Sequence, residues 1–236
     1  TDPELCIDGI NRELKAGAEQ LHRASWLLVT FGTAYVYSLR ETGKVVANCH
    51  KLPASLFDRR RVGVDEMIRG WIPLIERLSD SNPELRIMFT VSPIRHLRDG
   101  AHENQLSKSV LLLFVDELCR MYPDRCIYFP SYEIVMDELR DYRFYDAGMT
   151  HPNEQAIRYI WERFSEACFS EETQTLNREW ERLEKALNHR PLTPDKDAFR
   201  DFTMQNLFKL KKIWEKYSYF DLSKEIDSLE LFLKTL

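Results

Sequence analysis

Glycine is scarce in this sequence. Its 236 residues include 8 glycines, where average usage of about 7% would give roughly 16. No G-x-G-x-x-G segment occurs, and no glycine is followed by lysine and then serine or threonine. Dinucleotide-binding turns and P-loops need such glycines to bring the backbone against phosphate groups. Both kinds of nucleotide site are therefore excluded.

Long apolar runs are absent as well. The longest are short, such as residues 111–115, whereas a membrane-spanning helix needs about 18 or more apolar residues. The 33 lysines and arginines are outnumbered by 38 aspartates and glutamates, which gives a net charge of −5. A balance of this sign argues against a nucleic-acid-binding surface. We therefore expect a protein that binds neither membranes nor nucleic acids.

The cysteines favour neither a disulfide framework nor a metal site. Their number is odd, they are widely separated, and no C-x-x-C or H-E-x-x-H segment occurs. Zinc sites need ligands at set spacings, and disulfide frameworks use an even number of cysteines. The pattern predicts free thiols, a cytoplasmic location, and a chain without metal or cofactor. The cysteines are Cys6, Cys49, Cys119, Cys126 and Cys168.

Short apolar runs alternate with amphipathic segments over the first 170 residues. Residues 26–30, 85–91 and 126–129 are apolar on both faces, which is typical of buried strands in a parallel sheet. Segments with helical spacing separate them, and this alternation favours a parallel sheet covered by helices. The helix before the second strand is expected to be capped by Asp65. The helix after the second strand is expected to face the core with Leu106, Val110, Leu113, Phe114 and Leu118.

The remaining segments differ in character. Residues 37–62 carry six basic residues against two acidic ones and show no clear periodicity, so we predict an irregular basic loop. Residues after 170 show the spacing of charged amphipathic helices. The sequence therefore predicts two domains, an α/β domain over residues 1–170 and a helical extension over residues 171–236.

Candidate site residues fall at the predicted strand ends, where open parallel sheets bind their ligands. Gly32 follows the first strand, and Arg95 and His96 follow the second. His151 lies just before a helix, with Asp146 nearby in the same loop. An acid beside an imidazole can hold it as a general base. The alternative is a loop histidine that packs against the start of the helix.

A second set of candidates lies in the tetrapeptide Asn-Cys-His-Lys at residues 48–51. The side-chain amide of Asn48 can donate to an oxyanion, and His50 can line a substrate pocket. Cys49 is a poor nucleophile candidate because adjacent side chains rarely face each other, as a Cys–His pair requires. Arg95 and Arg98 can bind an anionic group of a substrate; the alternative is that both are surface arginines.

Four segments of the sequence form a set of motifs: GTAYVY from residue 32, ANCHKLP from residue 47, TVSPIRH from residue 90 and HPNEQA from residue 151. Together they resemble the GSCFA family, which is related to the SGNH (GDSL-like) hydrolases. The resemblance covers roughly residues 5–170. It implies a flavodoxin-like three-layer sandwich with a parallel sheet and a serine nucleophile after the first strand. It also implies an oxyanion hole and a late Asp-x-x-His that supplies acid and base.

Carried over by position, Gly32 resembles the oxyanion glycine and His151 the late histidine. The asparagine expected two residues after the glycine is Ala34 here, so Asn48 is the candidate substitute. The acid position three residues before the histidine is Gly148. Asp146 therefore needs a rearranged loop to reach the imidazole. His50, Arg95 and His96 are expected to bind substrate.

No Gly-Ser-Cys-Phe-Ala or Gly-Asp-Ser occurs in the sequence. We expect the nucleophile-bearing strand to precede Thr1, so that the sandwich is incomplete at its N-terminus. The strand at residues 26–30 would then be an apolar edge, and such edges favour self-association as a homodimer.

Two functions follow from this comparison. The first is an SGNH-type serine esterase or acyltransferase acting on an O-acyl substrate, a small-molecule or glycan ester. The second is a non-catalytic binding or scaffold protein on a degenerate hydrolase fold, with the basic loop and the helical tail as interaction surfaces. A metal hydrolase using His50, His96 and His102 is a distant third alternative.

Overall fold

A computed structural model describes residues 2–188 and 196–235 of the protein. The chain divides into two units, Thr1–Glu162 and Arg163–Leu236. The division falls within the helix Glu154–Cys168 (α5), a little before the boundary at residue 170 that the sequence predicts. The elements up to that helix are α1 (Pro3–Arg23), β1 (Trp26–Phe31), β2 (Tyr35–Leu39), β3 (Val45–Val46), β4 (Phe57–Arg61), α2 (Val64–Ser81), β5 (Arg86–Val91), α3 (Gly100–Met121), β6 (Cys126–Tyr128), α4 (Ser131–Glu133) with a π-helical continuation (Ile134–Glu138), and α5 (Glu154–Cys168).

The first unit contains a parallel sheet of three strands in the order β1-β5-β6. The three predicted strands and the mixed α/β class are thus confirmed. The burial predicted for the first strand is wrong, because Trp26 and Leu28 are 41% and 57% exposed. β1 lies at the edge of the sheet, and the described residues include no strand beyond it and no buried residue of α1. A local apolar run predicts a strand but does not specify its neighbours.

The core of the first unit is built around four aromatic rings. Phe31 lies 5.1 Å from Trp71, 5.7 Å from Phe89 and 5.3 Å from Phe114, measured between ring centroids. These rings come from β1, α2, β5 and α3, so one cluster joins the sheet to both helices. Burial of large aromatic side chains is a major stabilising contribution in a domain of this size.

Two details of the helices differ from the sequence prediction. The residue before α2 is Gly63, and Asp65 lies in the first turn instead of capping the helix. Leu113 is 61% exposed, so its predicted core position is wrong. Of the other predicted core positions, Phe114 and Leu118 are buried, whereas Leu106 and Val110 are only partly buried. The buried residues of α3 are Asn104, Ser107, Lys108, Leu111, Phe114, Val115 and Leu118.

The predicted irregular loop is a small antiparallel sheet of order β3-β2-β4, which we call the flap (residues 35–61). Tyr35 pairs with Arg61 and Tyr37 with Arg59 across its two longer strands. An aromatic ring opposite an arginine stem makes a stable cross-strand pair. The run of arginines shows no apolar alternation, and this is why the sequence did not reveal the strand.

The second unit is helical. Its elements beyond α5 are α6 (Glu171–Leu187), α7 (Lys196–Lys216) and α8 (Ser223–Thr235). Leu183 of α6, Leu210 of α7 and Ile226 of α8 are buried in one apolar cluster. Residues 189–195 and 236 of the predicted helical extension lie outside the described residues. Among the described residues, every helix is too short or too polar to cross a lipid bilayer.

Candidate active site

The carboxyl ends of the three parallel strands meet at one edge of the sheet, because parallel strands all point the same way. Ser131 follows β6 and is buried. Its hydroxyl donates to the Val91 carbonyl at 2.9 Å and lies against the Thr90 hydroxyl. These contacts tie the end of β5 to the start of α4, so Ser131 has a structural role.

A buried lysine joins the ends of β1 and β5. Lys108 of α3 is 1% exposed, and its ammonium donates to the carbonyls of Gly32 and Ser92, both at 2.6 Å. Within the part of the chain that the structure describes, no carboxylate lies within 4.0 Å of this ammonium. Burial lowers the pKa of Lys108 to about 8. Sequence analysis missed this residue, although it stands at helical spacing from Leu111 and Asn104 on the buried face of α3.

The Gly32 peptide groups have fixed directions. The Phe31 carbonyl accepts from the Ser92 N–H at 2.9 Å. Because the peptide is planar and trans, the Gly32 N–H of the same unit points away from β5, toward the open edge of β1. The Gly32 carbonyl accepts from His96 Nε2 at 2.9 Å as well as from Lys108. His96, expected to bind substrate, therefore holds the glycine.

Ala34 occupies a closed position. It is 1% exposed, and its N–H donates to the Ser107 hydroxyl of α3 at 2.8 Å. The Ser107 hydroxyl also lies 3.2 Å from Thr33 Oγ1. These contacts pack the loop after β1 against α3, at the position where the resemblance led us to expect an asparagine.

The loop before α5 brings Asp146 and His151 together. The Asp146 N–H donates to the His151 carbonyl at 2.9 Å, and residues 145 and 152 form an isolated β-bridge. This closed turn places Asp146 Oδ2 3.7 Å from His151 Nδ1. A side chain at Gly148 would start 3.4 Å from Asp146 Oδ1. The turn thus places the Asp146 carboxylate within ion-pair distance of the His151 imidazole, without a hydrogen bond between the two side chains.

The environment of His151 is partly open. Its side chain is 57% exposed and that of Asp146 is 44% exposed. Nδ1 also lies 2.9 Å from the Thr150 hydroxyl. Nε2 has no hydrogen-bond partner among residues 2–188 and 196–235. The imidazole therefore presents one nitrogen to its supports and the other to any group that approaches the site.

Arg95 is fastened to the same turn. Its backbone N–H donates to the Thr150 carbonyl at 3.3 Å, and its guanidinium donates to the Tyr145 hydroxyl at 3.0 Å. The guanidinium carbon lies 4.3 Å from the centre of the Tyr145 ring, a favourable cation–π distance. The structure thus places Arg95 beside the turn that carries His151.

Asn48 and His50 lie apart from this group. The Asn48 side-chain oxygen accepts from the His50 N–H at 2.8 Å, which closes a local turn. His50 and Lys51 have positive φ angles of 48° and 60°. In the described residues, no hydrogen bond or ion pair joins Asn48 or His50 to Gly32 or His151. The structure does not bring these two predicted residues into the site.

The arginines of the flap are paired with carboxylates. Arg59 donates two hydrogen bonds to Asp99, at 2.6 and 2.7 Å, and its guanidinium lies 3.8 Å from the centre of the Tyr35 ring. Arg61 lies 2.9 Å from Glu103, which also accepts from the Tyr35 hydroxyl at 2.6 Å. Much of the positive charge of this segment is therefore neutralised. These contacts anchor the flap to the start of α3.

Arg59→Gln is expected to loosen the flap. Hydrogen bonds from Arg59 hold the pKa of Asp99 below its usual value of 3.8. The pair therefore stabilises the fold above that value, and the stabilisation is lost as the pH falls through the lower folded pKa. At pH 7, amides of residues 35–61 should exchange hydrogen several times faster in the variant. Arg60→Gln, which removes a more exposed pair with Glu66, serves as the control, and equal exchange in both variants would contradict the anchoring role.

The described residues contain no group of three or more histidine, cysteine, aspartate or glutamate side chains that could hold a metal ion.

The comparisons with known proteins agree with the motifs. The model of the GSCFA family matches residues 1–164, and that of the GSCFA domain protein, C-terminal domain, matches residues 180–235. No curated protein and no solved structure matches the chain. The first match spans well over half of the sequence and contains the strand ends, the flap and the His151 turn. The chain therefore belongs to the GSCFA family.

Proposed function

We propose that the protein is a serine esterase or acyltransferase of the SGNH type that acts on an O-acyl ester of a small molecule or glycan. The observation that carries this proposal is the pairing of His151 with Asp146 at 3.7 Å. In acyl-transfer triads, an acid orients Nδ1 of the imidazole while Nε2 takes the proton of the nucleophile. Asp146 lies on the Nδ1 side of His151, and in the proposal Nε2, which has no hydrogen-bond partner among the described residues, takes the proton of the nucleophile.

The direction of the Gly32 N–H supports an oxyanion role. The N–H points toward the open edge of β1. The carbonyl of the same residue is fixed by hydrogen bonds from Lys108 and His96. A fixed N–H stabilises the charge of a tetrahedral intermediate without having to reorganise first. Asn48 stays a prediction as the second donor. The hydrogen bond within its own turn uses the side-chain oxygen, whereas an oxyanion would be bound by the side-chain nitrogen.

The open edge of β1 supports a nucleophile on an adjoining strand. Trp26 and Leu28 are exposed on β1, and Leu5, Ile10 and Leu14 are exposed on α1. A further strand and helix in the flavodoxin-like arrangement would cover these surfaces and end beside the Gly32 N–H. In the proposal, residues before Thr1 supply this strand and its serine.

The reaction would proceed in two balanced steps. The serine oxygen attacks the acyl carbon, its proton passes to His151 Nε2, and the leaving alcohol takes that proton as the ester bond breaks. Water or an acceptor alcohol then gives its proton to His151 and attacks the acyl-serine. Release of the acyl group restores the serine hydroxyl, and the choice of acceptor separates a hydrolase from a transferase.

His151→Ala is expected to lower kcat/KM for p-nitrophenyl acetate about 100-fold, because it removes the general base. The measurement uses the full-length protein, with any residues that precede Thr1. His102→Ala, which removes an exposed histidine of α3, is the matched control and should leave hydrolysis unchanged. Equal hydrolysis by wild type and His151→Ala would refute the assignment.

One observation favours the binding-protein alternative. The Thr150 hydroxyl lies nearer to His151 Nδ1 than Asp146 does, at 2.9 Å against 3.7 Å. A histidine held by a hydroxyl can donate to a bound ligand without acting as a base. This function predicts ligand binding without turnover, so the same assay separates the two candidates.

A further inference from the structure

We propose that the substrate carries a carboxylate close to its ester group and that the Arg95 guanidinium binds this carboxylate. The inference rests on the function proposed above and names a class of substrate for it. It starts from the Arg95 guanidinium, which is fixed to the turn that carries His151 and has no acidic partner in the described part of the chain.

The side chain of Arg95 is held in place at several points. The guanidinium stacks on Tyr145, which is 7% exposed, and donates to its hydroxyl. It also donates to the Met149 carbonyl at 3.4 Å, where Met149 has a positive φ of 57°. A left-handed backbone at a residue other than glycine costs free energy, and it often marks a functional site. A side chain ordered before binding loses less entropy when a ligand arrives.

The charge of Arg95 is not neutralised in the way that the flap arginines are. Arg59 and Arg61 each contact a carboxylate, whereas within residues 2–188 and 196–235 no carboxylate lies within 4.0 Å of the Arg95 guanidinium. Lys108 adds a second cation at the same edge of the sheet, and it too has no ion-pair partner in the described part of the chain. Positive charge without a counterion raises the local concentration of anionic ligands.

The geometry favours a carboxylate as the ligand. A guanidinium has five N–H donors in a planar fork that matches the two oxygens of a carboxylate. In the described residues, the Tyr145 hydroxyl and the Met149 carbonyl each accept one hydrogen bond from it, which leaves donors for a ligand. The guanidinium is bonded to Tyr145 and Met149, which belong to the same closed turn as His151, so a ligand that reaches both Arg95 and His151 would carry its carboxylate a short distance from its ester. A half-ester of a short dicarboxylic acid has this form.

The test compares monomethyl succinate with dimethyl succinate, which lacks the charge, by NMR titration of the full-length protein. We expect the monomethyl compound to bind at least about tenfold more tightly, because its carboxylate forms charge-assisted hydrogen bonds with the guanidinium and these are stronger than neutral ones. Arg95→Gln should lose this preference. Arg125→Gln is the matched control and should keep the preference. The Arg125 guanidinium likewise donates two hydrogen bonds, to the carbonyls of Leu85 and Pro83, but it lies at the opposite end of the strands.

Equal binding of the two esters by the wild type, or an unchanged preference in Arg95→Gln, would overturn the inference. Tighter binding of methyl phosphate than of monomethyl succinate would overturn the assignment to carboxylates. If Arg95→Gln does not fold, Arg95→Lys keeps the charge without the planar fork and should weaken binding of monomethyl succinate several-fold.

The outcome is separable from that of the proposed function. If the wild type binds monomethyl succinate through Arg95 but shows no hydrolysis that depends on His151, the esterase is refuted and the anion site is supported. Conversely, His151-dependent hydrolysis that is equally fast for p-nitrophenyl butyrate and mono-p-nitrophenyl succinate would support the esterase and contradict the carboxylate preference.

Discussion

Phe114→Ala is expected to lower the free energy of unfolding of the first unit by about 3–5 kcal/mol. The ring is fully buried and contacts Phe31 at 5.3 Å and Trp71 at 6.0 Å between centroids. Its removal deletes apolar burial and edge-to-face ring contacts at once, and it leaves a cavity that a sheet and two helices cannot easily close. Urea unfolding followed by aromatic circular dichroism measures the change.

Leu113→Ala provides the control on the same helix. Leu113 is adjacent in sequence to Phe114 but 61% exposed, so its loss should change the free energy of unfolding by less than about 0.5 kcal/mol. The pair also tests the position of Leu113, which the sequence pattern placed in the core together with Phe114. Similar losses from both substitutions would show that Leu113 packs in the core after all.

The parallel strands could be predicted because their signal is local. Residues 85–91 and 126–129 are short apolar runs bounded by turns, and most of β5 and the first residue of β6 are buried as expected. The edge position of β1 was expected from the absence of a Gly-Ser-Cys-Phe-Ala segment and not from the apolar run itself, because such a run does not specify which strands pair. The same limit applies to the flap, where each strand is stabilised by the other and by Asp99 and Glu103 of the α3 region.

The candidate site was only partly predictable, for a related reason. His151 and Asp146 lie close in sequence, so a turn could be expected to join them, although the spacing departs from the family pattern. Lys108 lies 76 positions from Gly32, and their contact exists only because α3 packs across the ends of β1 and β5. The sequence signal for this contact was a lysine at a position of α3 where the helical spacing predicts an apolar residue. A lysine is usually exposed, so the sequence alone favoured a surface position.

Lys108→Met is expected to remove a pH-dependent part of the stability. Burial lowers the pKa of Lys108 to about 8 from the ordinary value of 10.5. Between these pH values the unfolded chain holds a proton that the folded chain has released, so the stability of the wild type rises with pH. Below pH 8 both states are protonated, and the folded state carries the full cost of a buried charge. The shift corresponds to about 3 kcal/mol as an upper estimate.

The pH dependence is the decisive measurement, because the difference at a single pH mixes two opposing effects. Methionine removes the buried charge, which stabilises, but it leaves the Ser92 carbonyl without its lysine donor, which destabilises. Both carbonyl contacts can survive deprotonation, since a neutral amine keeps two N–H donors. The free energy of unfolding of the wild type minus that of Lys108→Met should therefore increase between pH 7 and pH 10 in urea unfolding. Lys44→Met, at an exposed lysine of the flap, should track the wild type, and parallel curves for Lys108→Met would mean that the ammonium is solvated in the native state.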